Sequence, residues 1–421
     1  MSGKLSEEKT SQGRGWSTMI IFWLGLALSQ VLIYGLGLVL PGMMEDLQFD
    51  TVKAGTLGAI GYFTCFLFLT PFSGFLIRFP PKRTLGFMFI GITLVFVLSA
   101  LAPSYSFLLV VRAVGIILTV ALSSVVALLQ RQWFEPRQMG SINGLQNGMT
   151  TIGQIIGLSV IPAMLAGFGG WRGTYNIVAV AIGIITVIWF IFGKENRTAE
   201  YEASMAGKKK TGATLKDVLK RKEFLLMGFG IGGAVIAYIA FLTFWPTYAT
   251  QVKGLDITAV GKIMGVVAFG SLAGSLLSGV ISDKIGLRKP QIILATLLLP
   301  VAYFALLKLD SVVGLSIAFF FVGFLAFFYS PLLFTIAFEL KEIKPQEISV
   351  GISVILSLSQ LGMGLGSQLA GIAIDNLGPA KGLSVLLFTP LIMTILILFV
   401  PETGPKAKKK ETLESPAEPA A

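Results

Sequence analysis

The sequence predicts an all-α integral membrane protein with twelve transmembrane helices in two halves of six. Three observations carry that expectation. Of 421 residues, 54% are hydrophobic and only 13% charged, against roughly 25% charged in an ordinary soluble domain. Apolar stretches such as MIIFWLGLALSQVLIYGLGLVL, from Met19 to Leu40, reach the ~20 residues that cross a hydrocarbon core of about 30 Å. Such stretches recur along the whole chain, and one long polar insert, from Gly193 to Glu223, divides them six and six.

Charged residues mark where each span stops. The first, 17–42, ends before Glu45 and Asp46, and the second, 52–76, before Arg78, Lys82 and Arg83. The third and fourth cover 84–102 and 105–130, the latter ending at Arg131 and Arg137. The fifth, 140–165, stops short of Arg172, and the sixth, 174–193, runs to the insert. In the second half, 223–250 ends before Lys253, 257–281 before Asp283, and 290–308 before Asp310. The last three are 311–338, closed by Glu339, 348–374, closed by Asp375, and 381–400, followed by a lysine-rich tail. The domain boundaries follow: an N-terminal tail 1–16, a bundle 17–193, a loop 194–222, a second bundle 223–400 and a tail 401–421.

Basic residues orient the chain. With both termini cytoplasmic, the outer connections hold only Lys53, Arg172, Lys253, Lys308 and Lys381. Arg112 and Lys262 lie inside spans, and every other one of the 33 Lys and Arg falls on the inner side. That is the asymmetry of the positive-inside rule, and it accounts for the formal net charge of +11 without a nucleic-acid partner. The first fifteen residues carry no cleavable apolar region, so the first span is expected to stay in the mature protein, as part of a multi-pass protein of the cytoplasmic membrane. Within the loop, TLKDVLKRKEF spaces leucine and valine for one helical face, which suits a linker that is solvated or rests on an anionic leaflet.

Histidine is absent and the one cysteine, Cys65, sits in an apolar run. Histidine metal sites, histidine proton relays and a disulfide framework are thereby excluded. No enzyme constellation, cofactor or metal is expected, and the chain reads as a monomer whose partners are the bilayer and a small molecule. Forty-eight glycines, many spaced like Gly144 with Gly148 and Gly270 with Gly274, suit helices that approach closely in lipid.

The stretch GVISDKIGLRK, Gly279 to Lys289, resembles the inner-loop signature of the major facilitator superfamily: glycine, aspartate, a basic residue, glycine and a basic cluster. Those positions are Gly279, Asp283, Lys284, Gly286, Arg288 and Lys289. The matching loop of the first half, GFLIRFPPKR, keeps the glycine and the basic end but has Arg78 in place of the aspartate. The resemblance covers about residues 17–400 and implies that the twelve helices form two pseudo-symmetric six-helix bundles. It implies a central binding site between the halves and a gate in which Asp283 approaches the start of span five near Ser141. In that gate Lys284 or Arg288 meets Glu339 or Glu342.

Polar residues inside spans mark candidate binding positions, because lipid cannot satisfy them. Span five carries Asn143, Asn147, Thr150 and Gln154 on one helical face; span eleven carries Ser353, Ser357, Gln360, Gly364 and Ser367. Each can serve interhelical hydrogen bonding or line a cavity. Gln30 and Tyr34 lie one turn apart in span one; Tyr238, Trp245 and Tyr248 lie in span seven, and Tyr329 in span ten beside Phe327 and Phe328. Lys262, one turn into span eight, can snorkel to a mouth.

Arg112 stands in FLLVVRAVGIILTVAL, roughly 9–12 Å inside the membrane at 1.5 Å per residue. A charge near mid-span costs at least ~2.5–3.5 kcal/mol, so it needs partners. Backbone carbonyls or polar side chains of span five are one solution, and an anionic substrate held bidentately is the other. Glu45, Asp46, Asp310, Asp375, Glu339 and Asp283 all fall at span ends, so no carboxylate lies mid-span and the cavity is expected to be positive. Joined to the resemblance, this implies a secondary transporter of a small organic anion, a carboxylate, by antiport or proton-linked symport. The alternative is an efflux carrier for neutral or amphipathic compounds.

Overall fold

Helices start in this chain where proline or a serine cap permits it. In the computed structural model, Pro81 opens one helix, Pro290 stands in the first turn of another and Pro379 opens a third; a proline there loses no helical hydrogen bond. Ser104 Oγ accepts from the Phe107 amide and Ser311 Oγ from that of Gly314, each capping an otherwise unpaired first turn. The structure describes residues 2–76, 78–135, 138–196, 218–340, 343 and 345–407. Most of the connecting loop, with its amphipathic segment, and Arg137, Lys341, Glu342, Lys344 and Lys408–Lys410 lie outside the described residues.

The elements are α1 (Ser2–Ser29), α2 (Val31–Tyr34), α3 (Leu36–Leu47), α4 (Thr51–Leu76), α5 (Pro81–Ala100), α6 (Tyr105–Trp133), α7 (Met139–Ile155), α8 (Ile161–Gly167) and α9 (Gly170–Phe192). They continue as α10 (Lys222–Gln251), α11 (Ile257–Ile285), α12 (Lys289–Lys308), α13 (Val312–Glu339), α14 (Pro345–Leu377), α15 (Pro379–Leu386) and α16 (Leu391–Leu398). Among the described residues there are 12 stretches long and apolar enough to span a membrane and no strand. Three spans expected as single helices are interrupted. Span one breaks at Gln30 and Gly35, span five carries a π-turn at Ile156–Val160, and span twelve divides into α15 and α16 next to Pro390.

Val110, Val180, Leu276 and Val313 are 61–70% exposed, which is tolerable in hydrocarbon and would be unfavourable in water. On α6, Phe107, Val110 and Val114 face outward while Leu108, Arg112, Gly115 and Thr119 are buried, one helical face against the other.

The chain forms two compact units: the described residues of Met1–Thr211 with Leu242–Gly265, and those of Gly212–Phe241 with Val266–Ala421. In the first, α5 packs on α6 and α9, α4 on α6, and α1 on α7 and α9, around Phe22, Phe89 and Trp189 with ring centroids 5.9–6.3 Å apart. In the second, α12 packs on α13 and α16, and α14 on α15. Phe241 stacks on Tyr303 at 4.7 Å, and Phe320, Phe324 and Phe328 stack in a column.

The unit boundaries depart from a division after the sixth span, because Leu242–Gly265 groups with the first unit. Glycines explain this: Gly37 lies against the carbonyls of Leu242 and Thr243, Gly261 against Pro162, and Gly265 against Ser159, with no room for a Cβ. Gly265→Val should therefore destabilise by about 1–3 kcal/mol through overpacking, read as a lower midpoint of thermal unfolding in mild detergent. Gly144→Ala, where an added Cβ meets nothing, should leave the midpoint unchanged or raise it.

Candidate functional site

A guanidinium in hydrocarbon must find oxygen atoms within the protein. Arg112 is 3% exposed. Its Nε donates to Leu57 O at 2.8 Å and its Nη1 to Leu32 O at 3.0 Å, so it ties α6 to α4 and α2. The Leu32 carbonyl is open to an outside donor because α2 ends at Gly35, and the last carbonyls of a helix have no partner within it. Tyr62 and Tyr175 are the electrostatic neighbours of the guanidinium, and Tyr34 is a neighbour of Tyr62. The Tyr175 hydroxyl is buried without a hydrogen-bond partner. Among the described residues no carboxylate pairs with Arg112.

Gln30 and Tyr34 of span one lie against span five. Gly153 and Gly157 of span five lack the side chains that would collide with them: a Cβ on Gly153 would come within 2.7 Å of Gln30 Cβ, and one on Gly157 within 3.0 Å of Tyr34 Cβ. Gln154, between those glycines, is buried, whereas Asn147, two turns earlier, is exposed. Arg112, Tyr34, Gln30 and Gln154 thus occur in one unit, together with Tyr62 and Tyr175, which were not among the sequence candidates. Hydroxyl-bearing aromatics within the spans were the available signal for those two tyrosines. The carbonyls of Leu32 and Leu57 leave no trace in the side-chain sequence.

In the second unit Tyr238 packs edge-on against Phe327 at 6.3 Å and Tyr329 is buried. Gln360 Oε1 and Ser367 Oγ, both on the polar stripe of span eleven, are buried without hydrogen-bond partners. Trp245 is fully buried in the segment that groups with the first unit. Lys262 is exposed and makes no hydrogen bond among the described residues.

The loop after α11 holds a charge cluster around Arg288. Its Nη1 donates to Asp283 Oδ1 and to Ser282 Oγ, each at 2.7 Å, while Nη2 and Nε reach the two oxygens of Glu339 at 2.9 and 3.3 Å. The hydrogen bonds it donates to Glu339 push the arginine pKa up. The Glu339 pair is sheltered, while Asp283 is 71% exposed and adds little in water. Lys284 is exposed and takes no part. Residues beyond the last span complete the cluster. Thr403 Oγ1 donates to Glu339, and Glu402 accepts from the amides of Arg288 and Lys289, capping the start of α12.

A quieter version occurs in the first unit. Glu195 accepts from the Lys82 amide at the start of α5, and Asn196 bonds to Gln132 at the end of α6. The same displacement along the chain relates Lys82 to Lys289, Gln132 to Glu339, Glu195 to Glu402 and Asn196 to Thr403. Both halves therefore tie the end of the sixth span back to the start of the third. The second adds the Arg288–Glu339 ion pair at the end of its fourth span. At the other end of the first unit, Arg172 stacks on Trp171, pairs with Asp46 at 2.7 Å and donates to the carbonyls of Ala100 and Ala102.

The sequence model of the Major Facilitator Superfamily matches residues 22–367. A hexuronate transporter of Bacillus subtilis is 26% identical over 59% of this chain and 60% of its own length. A probable galactarate/D-glucarate transporter of the same organism is 24% identical over 46% of this chain and 49% of its own. The chain thus spans about half to three-fifths of these two relatives. Among solved structures, a bacterial homologue of the human lysosomal transporter Spinster aligns with a TM-score of 0.74 at 15% identity, covering 96% of this chain and 99% of that one.

Two double-mutant cycles rank the partners of Arg288. A double-mutant cycle between Arg288→Ala and Glu339→Gln should give a coupling of about 1–3 kcal/mol by thermal unfolding, as for other charge-assisted hydrogen bonds. The same cycle between Arg288 and exposed Asp283 should give below about 1 kcal/mol.

Proposed function

We propose that this chain, which belongs to the Major Facilitator Superfamily, carries a small organic anion, a sugar-acid carboxylate, across the cytoplasmic membrane. Transport proceeds by alternating access between the two six-helix halves, 17–193 and 223–400, as antiport or proton-linked symport, with both termini cytoplasmic. The observation that carries the reading is the charge of Arg112, buried with carbonyl oxygens as its hydrogen-bond partners. Carbonyl dipoles orient a guanidinium without cancelling its charge, so the field remains to attract an anion. Nη2 makes no hydrogen bond among the described residues, and the unpartnered Tyr175 hydroxyl is a second donor for a carboxylate oxygen. Gln30, Tyr34, Asn147 and Gln154 supply further polar contacts, and Tyr238, Trp245, Tyr329 and Gln360 face the substrate from the other half, with Lys262 at the mouth. The names of the hexuronate and galactarate/D-glucarate transporters support a substrate of this class. Asp283, Arg288 and Glu339 act as the cytoplasmic gate, with Lys284 at its edge.

A second reading, efflux of amphipathic compounds, draws on the stacked Phe320, Phe324 and Phe328 and the Tyr238–Phe327 pair. One experiment separates the two. Purified protein is screened for thermal stabilisation by glucuronate, galactonate, glucarate, neutral hexoses and hydrophobic amines, since a ligand bound only by the folded state raises its midpoint. The sugar acids should stabilise and Arg112→Lys should weaken them about tenfold or more, because a point charge cannot replace a planar fork. Stabilisation by amines and not by acids would favour efflux. In proteoliposomes, uptake of the stabilising acid should fall with Arg112→Lys while Lys284→Gln retains substrate affinity.

A further inference from the structure

The second unit carries a groove of about 600 Å³ between α11, α12 and α13. Its lining is apolar throughout, from Ile281 and Leu298 to Ile317 and Phe324, with one exception, Gln291. That side chain is 4% exposed, and neither its Oε1 nor its Nε2 has a hydrogen-bond partner. Unpaired amide atoms are unfavourable in an apolar setting and are rarely left so. The corresponding residue of the first half, one chain displacement earlier, is Thr84, whose hydroxyl is satisfied by Pro80 O at 3.0 Å. The orphan amide therefore belongs to the second unit and is not a feature of the repeat.

The groove opens sideways. Leu294, Leu298, Val301 and Ile317 on its rim are 43–62% exposed on helices that cross the membrane, so its neighbours there are lipid chains. From Gln291 to Leu309 the helix rises about 27 Å, close to the thickness of the hydrocarbon core. Gln291 stands at the end where the chain carries its basic loop, three residues after Arg288, and Lys284 is exposed at that end, three residues after groove-lining Ile281. A long apolar slot with one amide at its polar end and an exposed cation nearby matches one kind of molecule.

We propose that the groove binds a phospholipid of the leaflet at the basic-loop end. One acyl chain lies along Leu294, Leu298 and Phe324. The Gln291 Nε2 donates to an ester or phosphate oxygen, its Oε1 accepts from a headgroup donor, and Lys284 balances the phosphate charge. Because neighbouring lipid offers the same apolar contact elsewhere, the amide is what distinguishes this lipid from the bulk.

The test uses full-length protein extracted in mild detergent, with retained phospholipid counted by native mass spectrometry. Phosphatidylglycerol is added back to delipidated samples during thermal unfolding. Wild type should keep about one phospholipid per chain. Gln291→Leu keeps the shape and removes the amide, so retention should fall about fivefold, the equivalent of one net hydrogen bond. The delipidated form of that variant should melt higher than wild type, because an orphan polar group is gone. Leu298→Trp fills the groove from a lipid-facing position and should abolish stabilisation by phosphatidylglycerol. Equal retention in wild type and both variants, or displacement of the lipid by the extraction detergent alone, would overturn the proposal.

Discussion

Hydrocarbon offers no hydrogen bonds, so every polar atom placed in it must be answered from within the protein. Arg112 is the sharpest instance. Its partners are main-chain carbonyls, and one of them, Leu32 O, is available because span one is broken at Gly35. The arginine, the break in span one and the close approach of Gly157 to Tyr34 form one arrangement, in which each part would be unfavourable alone. A helix interruption in mid-membrane leaves carbonyls unpaired, and a guanidinium supplies the donors. The charge itself is left uncancelled, which is why a structural tie between helices and an electropositive site are compatible roles for the same residue.

The same requirement, applied where water is available, gives a different solution. Charges concentrate at helix ends, and there they organise the connections. Glu195 and Glu402 each accept amide hydrogens at the start of a helix whose first N–H groups have no intrahelical partner. The two halves share this device at corresponding positions but differ in its strength. The second half adds Arg288 between Asp283 and Glu339, whereas the first half has neutral Gln132 at the position of Glu339.

Packing within the membrane relies on small residues, since lipid provides no hydrophobic drive between helices. The glycines at 37, 261 and 265 are occupied by neighbouring backbone or side-chain atoms rather than by space, and they draw the ends of α10 and α11 into the first unit. Other glycines, such as Gly144 and Gly148, face no such neighbour. Spacing alone groups that pair with Gly270 and Gly274, which do meet the main chain of Phe320 and Phe324, because a small-xxx-small pattern records the opportunity for close approach and not its use.

Much of the fold was legible in the side chains. The length of the apolar runs, the charges between them and the skewed placement of lysine and arginine specify twelve spans, because the bilayer tolerates few alternatives. The inner-loop signature identified the family. Arg112 was conspicuous for the same reason: a cation among leucines and valines must find partners away from lipid. The sequence did not reveal what Arg112 touches, since carbonyl oxygens are common to every residue and only the path of the chain brings those of Leu32 and Leu57 into reach. Nor did it reveal Tyr62 and Tyr175 beside the guanidinium, Glu402 and Thr403 at the charge cluster, or the unpaired amide of Gln291. These depend on which helix faces meet. Hydropathy states that a residue must be hidden from water or from lipid, and the tertiary structure alone decides which neighbour hides it.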